Sequence, residues 1–191
     1  MTDNTDTQSK IAALCRGYLD QRTEWDEAPE LLGLFTDDEG AVRLEEFRLP
    51  AELWELGRPA VILRQYADMV AAFGVRAPSD LVAVAFRCEA FALTADAGPQ
   101  AEETIRRRMA GGSVPSNKDV PGRIEQRLLW VVDTEGRQYT VTADRRTDGS
   151  ASPAVSKVTA DRQRLSGLLA DALDILLAAL RPQPGTALTS H

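Results

Sequence analysis

The sequence predicts an α+β fold: a mostly antiparallel sheet of about five strands, two hairpins plus a central strand, with helices packed on one face. Two acidic, glycine-ended turns are each flanked by short apolar runs, as in β-hairpins. The run Leu81–Leu93 (LVAVAFRCEAFAL) is apolar at both odd and even positions, as a central strand requires. The remaining apolar segments repeat with the period of a helix.

The first helix is expected from about Gln8 to Arg22, because Ile11, Leu14, Cys15 and Tyr18 share one helical face. The acidic stretch Glu24–Glu30, containing Pro29, ends it. Leu31–Phe35 and Ala41–Phe47 then flank Thr36-Asp37-Asp38-Glu39-Gly40, a hairpin in which Gly40 supplies the left-handed conformation. Pro50 opens a short helical turn, Ala51–Leu56, that Gly57 ends. Pro59 sits at the first turn of a helix that runs to Phe73, with Ile62, Tyr66, Met69, Val70 and Phe73 as its apolar stripe.

After the central strand comes a polar helix, about Gln100–Ala110, with Glu102–Arg106 and Glu103–Arg107 in the favourable i, i+4 order. Residues 111–122 form a loop by composition. The second hairpin pairs Ile124–Val132 with Gln138–Ala143 around Asp133-Thr134-Glu135-Gly136. Residues 145–157 read as a polar linker, and Thr159–Leu180 as a final helix ended by Pro182 and Pro184. Residues 1–7 and 182–191 are expected to be disordered, leaving 8–181 as a single domain.

Composition narrows the function classes. Apolar residues make up 43% and charged residues 27% of 191 residues, ordinary for a globular chain that buries one core. No apolar run approaches the ~20 residues that span a bilayer, and the N-terminus lacks a basic and an apolar region, so neither membrane insertion nor a signal peptide is expected. Cys15 and Cys88 sit far apart in apolar settings, which reads as two small buried side chains in a reducing cytoplasm. Only Lys10, Lys118 and Lys157 among 22 basic residues are lysines, a bias that fits a high-GC, actinobacterial-type genome or its phages.

Catalytic motifs are absent. The only histidine is the terminal His191, so relays and metal sites built on imidazole have no basis. There is no CxxC, HExxH, Walker loop or dinucleotide fingerprint. Carboxylates cluster at Glu24, Asp26, Glu27 and Glu30 and at Asp37, Asp38 and Glu39, but the first group is a helix exit and the second a hairpin tip, where solvated acids are routine. No cofactor and no metal ligand is assigned.

Charge is distributed unevenly. Residues 20–55 carry −9 and the rest of the chain +2, against a total of −7; residues 104–146 carry +4. Such polarity can steer a basic partner to one surface. The residues singled out for partner binding are Asp37, Asp38, Glu39, Glu45 and Glu46 on the acidic hairpin, and the run Arg106, Arg107, Arg108. Nucleic-acid binding by that run is disfavoured by a pI of about 4.8, by the lack of nearby aromatics and by the pairing glutamates. The final helix is apolar beyond a narrow stripe, since Leu173, Ile175 and Leu177 lie off the Leu165/Leu168/Leu169/Leu176/Leu180 face; it is either sunk within its own domain or shared in a homodimer.

The stretches Trp25-Asp26-Glu27-Ala28-Pro29, Leu49-Pro50-Ala51-Glu52-Leu53-Trp54 and Phe86-Arg87-Cys88-Glu89-Ala90-Phe91 resemble patterns in small uncharacterised actinobacterial and actinophage proteins, a resemblance that brings no activity. The element order is similar to that of type III secretion chaperones and YbjN-like proteins, apart from the helix after the first hairpin. That similarity implies a small, acidic, often dimeric binding protein. The reading is a non-enzymatic protein-interaction module, phage- or mobile-element-encoded, engaging a protein through its acidic surface. The alternatives are a Mg²⁺-dependent carboxylate enzyme and a homo-oligomeric assembly subunit.

Overall fold

The computed structural model describes residues 4–159 and 168–181. Helix α1 (Asn4–Asp20) precedes the hairpin β1 (Glu30–Thr36) and β2 (Val42–Glu46). A 3-10 turn at Ala51–Leu56 leads into α2 (Pro59–Ala72), then β3 (Leu81–Ala92) and α3 (Pro99–Met109). Strands β4 (Ile124–Asp133), β5 (Gln138–Asp144) and β6 (Val155–Thr159) follow, and α4 (Leu168–Leu180) closes the described chain. The strands form one antiparallel sheet in the order β2-β1-β3-β4-β5-β6.

The α+β class and the antiparallel sheet agree with the sequence, with three differences. A sixth strand, β6, lies in the segment read as linker and at the start of the expected last helix; it pairs with Gln138–Thr142. An edge strand draws much of its stability from that ladder, so Val155-Ser-Lys-Val-Thr shows little apolar periodicity of its own. Helix α1 begins at Asn4, four residues before the expected start at Gln8; residues 1–3, 160–167 and 182–191, including Leu165 and His191, lie outside the described residues.

The third difference concerns the layers. Helices cover both faces of the sheet, not one. On one face Ile11, Cys15 and Leu19 of α1 pack against Leu32, Leu34, Ala83, Ala85, Leu129, Val131, Tyr139 and Val141. On the other, α2 and α4 join Leu31, Phe35, Val84, Phe86 and Val132, with Trp54 tilted against Phe86 at 5.1 Å between ring centres. A strand apolar on both faces needs cover on both, because each large aliphatic side chain left in water forgoes roughly 1.5–3 kcal/mol. The β3 pattern therefore called for this three-layer arrangement.

The wide apolar surface of α4 is used inside the chain. Leu173 and Leu177, off the main stripe, are buried together with Ala172, Leu176 and Leu180 against α2 and the sheet, while Ile175 is 40% exposed. The apolar excess that suggested a dimer seam is thus largely accounted for by α2.

Both acidic turns use one device. Asp37 Oδ1 accepts the amides of Glu39 (3.0 Å) and Ala41 (2.8 Å), and Asp133 Oδ1 accepts those of Glu135 (3.0 Å) and Arg137 (2.9 Å). Gly40 and Gly136 close the turns at φ 76° and 79°. Because β1 and β4 each pair antiparallel with β3, they run parallel to each other. Both hairpin tips therefore emerge at the same end of the sheet.

Gly122 fixes the entry to β4. It has φ 76°, and a Cβ there would lie 2.6 Å from the Ala97 carbonyl oxygen. Gly122→Ala is expected to cost about 2–3 kcal/mol through backbone strain and overpacking, read as a lowered denaturation midpoint.

Candidate functional site

Opposite the hairpin tips, the sheet ends in a dense charged cluster roofed by the loop between α1 and β1. The central strands project Arg87 and Arg127 toward the α1 side, at positions continuing the apolar rows Ala83/Ala85 and Leu129/Val131. Both side chains are essentially inaccessible to water, 1% and 0% exposed. A buried guanidinium is tolerated only with hydrogen-bonded partners, and the loop supplies them.

Arg127 donates to the carbonyls of Arg22 (2.8 Å) and Glu24, and to Glu89 Oε1 at 3.3 Å, while its guanidinium lies 4.5 Å from the centre of the Trp25 ring. Arg87 donates to the Ala28 carbonyl (2.5 Å) and to Glu30 Oε2 (3.2 Å), with Glu27 Oε2 at 3.3 Å. Loop carbonyls that no strand could satisfy are thus satisfied by arginines from the sheet. Arg22 completes the network, bonding Glu27 at 2.8 Å, Glu30 at 2.8 Å and the Tyr18 hydroxyl at 2.6 Å; Tyr18 in turn donates to Glu30.

The network sets proton affinities. Burial pushes the Glu30 carboxyl upward, but the Tyr18 hydroxyl and the Arg87 and Arg22 guanidiniums outweigh it and hold Glu30 below its usual value. Burial and the Glu30 carboxylate push the Tyr18 hydroxyl up. A carboxylate with a depressed folded-state pKa adds stability above its unfolded value of ~4.3, and that stability is lost as pH falls through the lower folded value. Glu30→Gln is therefore expected to flatten the acid side of the stability–pH curve, as measured by denaturant midpoints below about pH 4.3.

A further group of charges lies beside Trp25, whose ring Arg145 overlies at 5.3 Å. One oxygen from each of Asp26, Glu89 and Glu125 lies within 4.8 Å of the others. Asp26 has φ 64°, the sole positive φ of a non-glycine among the described residues, and its amide donates to Glu89 Oε2 at 2.7 Å. Arg127 pairs with Glu89, and Arg145 pairs with Glu125 at 2.9 Å and approaches Asp26 at 3.8 Å. The three carboxylates thus have guanidinium counter-ions, and the arrangement works as an ionic lock on the loop.

No reactive thiol adjoins it. Burial pushes the Cys15 thiol up to about 12 and that of Cys88 up to about 11, so both are thiols at neutral pH.

The residues singled out from sequence fall elsewhere. Asp37, Asp38 and Glu39 are exposed at the first hairpin tip; Asp37 orders the turn, while Asp38 and Glu39 make no ion pair among the described residues. Glu45 and Glu46 are exposed on β2, an outer strand of the sheet, where Glu45 pairs with Arg43 at 2.8 Å. Arg106, Arg107 and Arg108 are exposed in the last turn of α3; Arg106 bonds Glu103, one turn back, and Arg108 bonds Asn117 at 2.7 Å. Asn117 donates to the Phe91 carbonyl, which ties this run to the cluster end of the sheet. The structure therefore separates the acidic hairpin from the arginine run.

Among the described residues no helix is long and apolar enough to cross a membrane. No family model matches the chain, and no curated protein or solved structure matches it either.

Proposed function

We propose that this chain is a protein-interaction module that engages a basic partner at the hairpin end of its sheet. The observation that carries the reading is the convergence of both acidic turns at one end, which follows from the parallel course of β1 and β4. Asp38 and Glu39 from one turn and Glu135 from the other are exposed and make no ion pair among the described residues. Exposed carboxylates project a field that attracts cations and speeds their encounter; Arg137 offsets that of Glu135 in part. By contrast, Glu27 and Glu30 are used internally. The triple reversal Asp38→Lys, Glu39→Lys, Glu135→Lys is expected to weaken binding of an oligolysine peptide by at least about tenfold at low salt. Unchanged affinity would remove this surface from the account.

One observation favours the alternative of a Mg²⁺-dependent carboxylate enzyme: the convergence of Asp26, Glu89 and Glu125. A cation there would have to displace Arg127 and Arg145 from these acids. Calorimetric titration with Mg²⁺ and Mn²⁺ separates the readings, since saturable heat lost in Glu89→Gln would favour the enzyme.

A further inference from the structure

At the cluster end, the arginines divide into two kinds. Arg22, Arg87, Arg127 and Arg145 each hold a carboxylate. Arg123 and Arg146 are exposed and pair with no carboxylate among the described residues, yet both line one open cleft of about 310 Å³. Phe91, Gly122, Glu125, Arg145 and Thr147 complete its walls. A chain with a net charge of −7 thus places Arg123, Arg146 and Arg145 around one hollow, with the exposed Asp148 carboxylate within the field of Arg146.

The walls are held by the backbone. Arg145 N–H donates to the Glu125 carbonyl (2.8 Å), Arg146 N–H to the Ser150 carbonyl (2.8 Å), and Gly149 N–H back to the Arg146 carbonyl (2.9 Å). Arg123 lies over the Phe91 ring at 5.3 Å and Arg145 over Trp25 at 5.3 Å, so aromatic faces orient both guanidiniums. Glu125 is the one carboxylate in the wall, and its charge is held by Arg145 at 2.9 Å.

We propose that this cleft binds a phosphate monoester, with Arg123 and Arg146 as its main charge partners. Guanidinium forks match the oxygens of a tetrahedral dianion, and Thr147 lines the same cleft. The volume lies near the lower end of small-ligand sites, which fits a compact phosphorylated metabolite or a single phosphorylated side chain.

The test follows backbone amide shifts of the labelled protein during titration with inorganic phosphate, phosphoserine and, at matched ionic strength, sodium chloride. Phosphate and phosphoserine are expected to shift amides at 122–125 and 145–148 saturably, and chloride to shift none. Arg123→Ala/Arg146→Ala should weaken phosphate binding at least about tenfold, whereas Arg58→Ala/Arg64→Ala, at exposed positions outside the cleft, should leave it unchanged. Phosphoserine separates a phosphorylated side chain from free phosphate: tighter binding than inorganic phosphate assigns the cleft to the former, and equal binding to the latter. Shifts that chloride reproduces, or affinity that survives loss of Arg123 and Arg146, overturn the proposal. Tighter binding of an oligonucleotide carrying only phosphodiesters would also overturn it.

Discussion

Replacing Arg127 by alanine is expected to cost about 3–5 kcal/mol of stability and to release the loop between α1 and β1. Arg127 is wholly buried and connects three things: the Arg22 and Glu24 carbonyls, the Glu89 carboxylate and the face of Trp25. Truncation leaves Glu89 without its buried cation and two loop carbonyls without donors, and it leaves a cavity under Trp25. Arg127→Met fills the cavity but not the charge, so it should recover only part of the loss. Equilibrium denaturation gives the size of the effect. Hydrogen exchange at residues 22–28 gives its location, because those amides should lose protection well before the sheet does.

Asp133→Ala should be comparably severe, about 3–5 kcal/mol, and at the opposite end of the molecule. Asp133 is 1% exposed and accepts from four groups: the amides of Glu135 and Arg137, the Arg137 guanidinium at 2.6 Å and the Tyr139 hydroxyl at 2.7 Å. Alanine removes the turn anchor and leaves the buried Tyr139 hydroxyl without this acceptor. Asp37→Ala, in the matching but exposed turn, should cost only about 1 kcal/mol, since water can replace its bonds. The two aspartates make the same pair of turn bonds, so the difference measures what burial, the Arg137 ion pair and the Tyr139 bond add together. Thermal or chemical denaturation of the two variants side by side measures it.

The strand and helix positions were legible because their periodicities are strong. Val84 and Phe86 alternate with Ala83 and Ala85, and the two sets enter the two separate cores. That same pattern implied two covered faces, whereas the one-layer expectation placed every helix on one. Strand β6 left little trace, because the ladder to β5 rather than its side chains defines it.

The charged cluster was less legible. Glu24–Glu30 read as a solvated helix exit, since Arg22, which pairs with Glu27 and Glu30, is the one base beside it and balances only part of its charge. Its other counter-ions, Arg87 and Arg127, come from β3 and β4, some 57 residues along the chain for Glu30 and Arg87. One signal was present: Arg87 and Arg127 stand at inward positions of otherwise apolar strands, where a charge requires a partner. The negative segment 20–55 accordingly splits in space. Glu27 and Glu30 neutralise the arginine end, while Asp37, Asp38 and Glu39 lie at the opposite end with Glu135. The shared end of the two hairpins required the strand order, which sequence alone left open.

A residue-resolved titration of the isotopically labelled protein with an oligolysine peptide at low and high salt shows directly whether the hairpin end of the sheet is the docking surface. Saturable amide shifts are expected, confined to residues 37–41 and 134–137, weakened by salt and absent in the Asp38/Glu39/Glu135 triple reversal. Shifts centred instead on residues 24–30, or spread evenly over all exposed acids, would contradict that assignment.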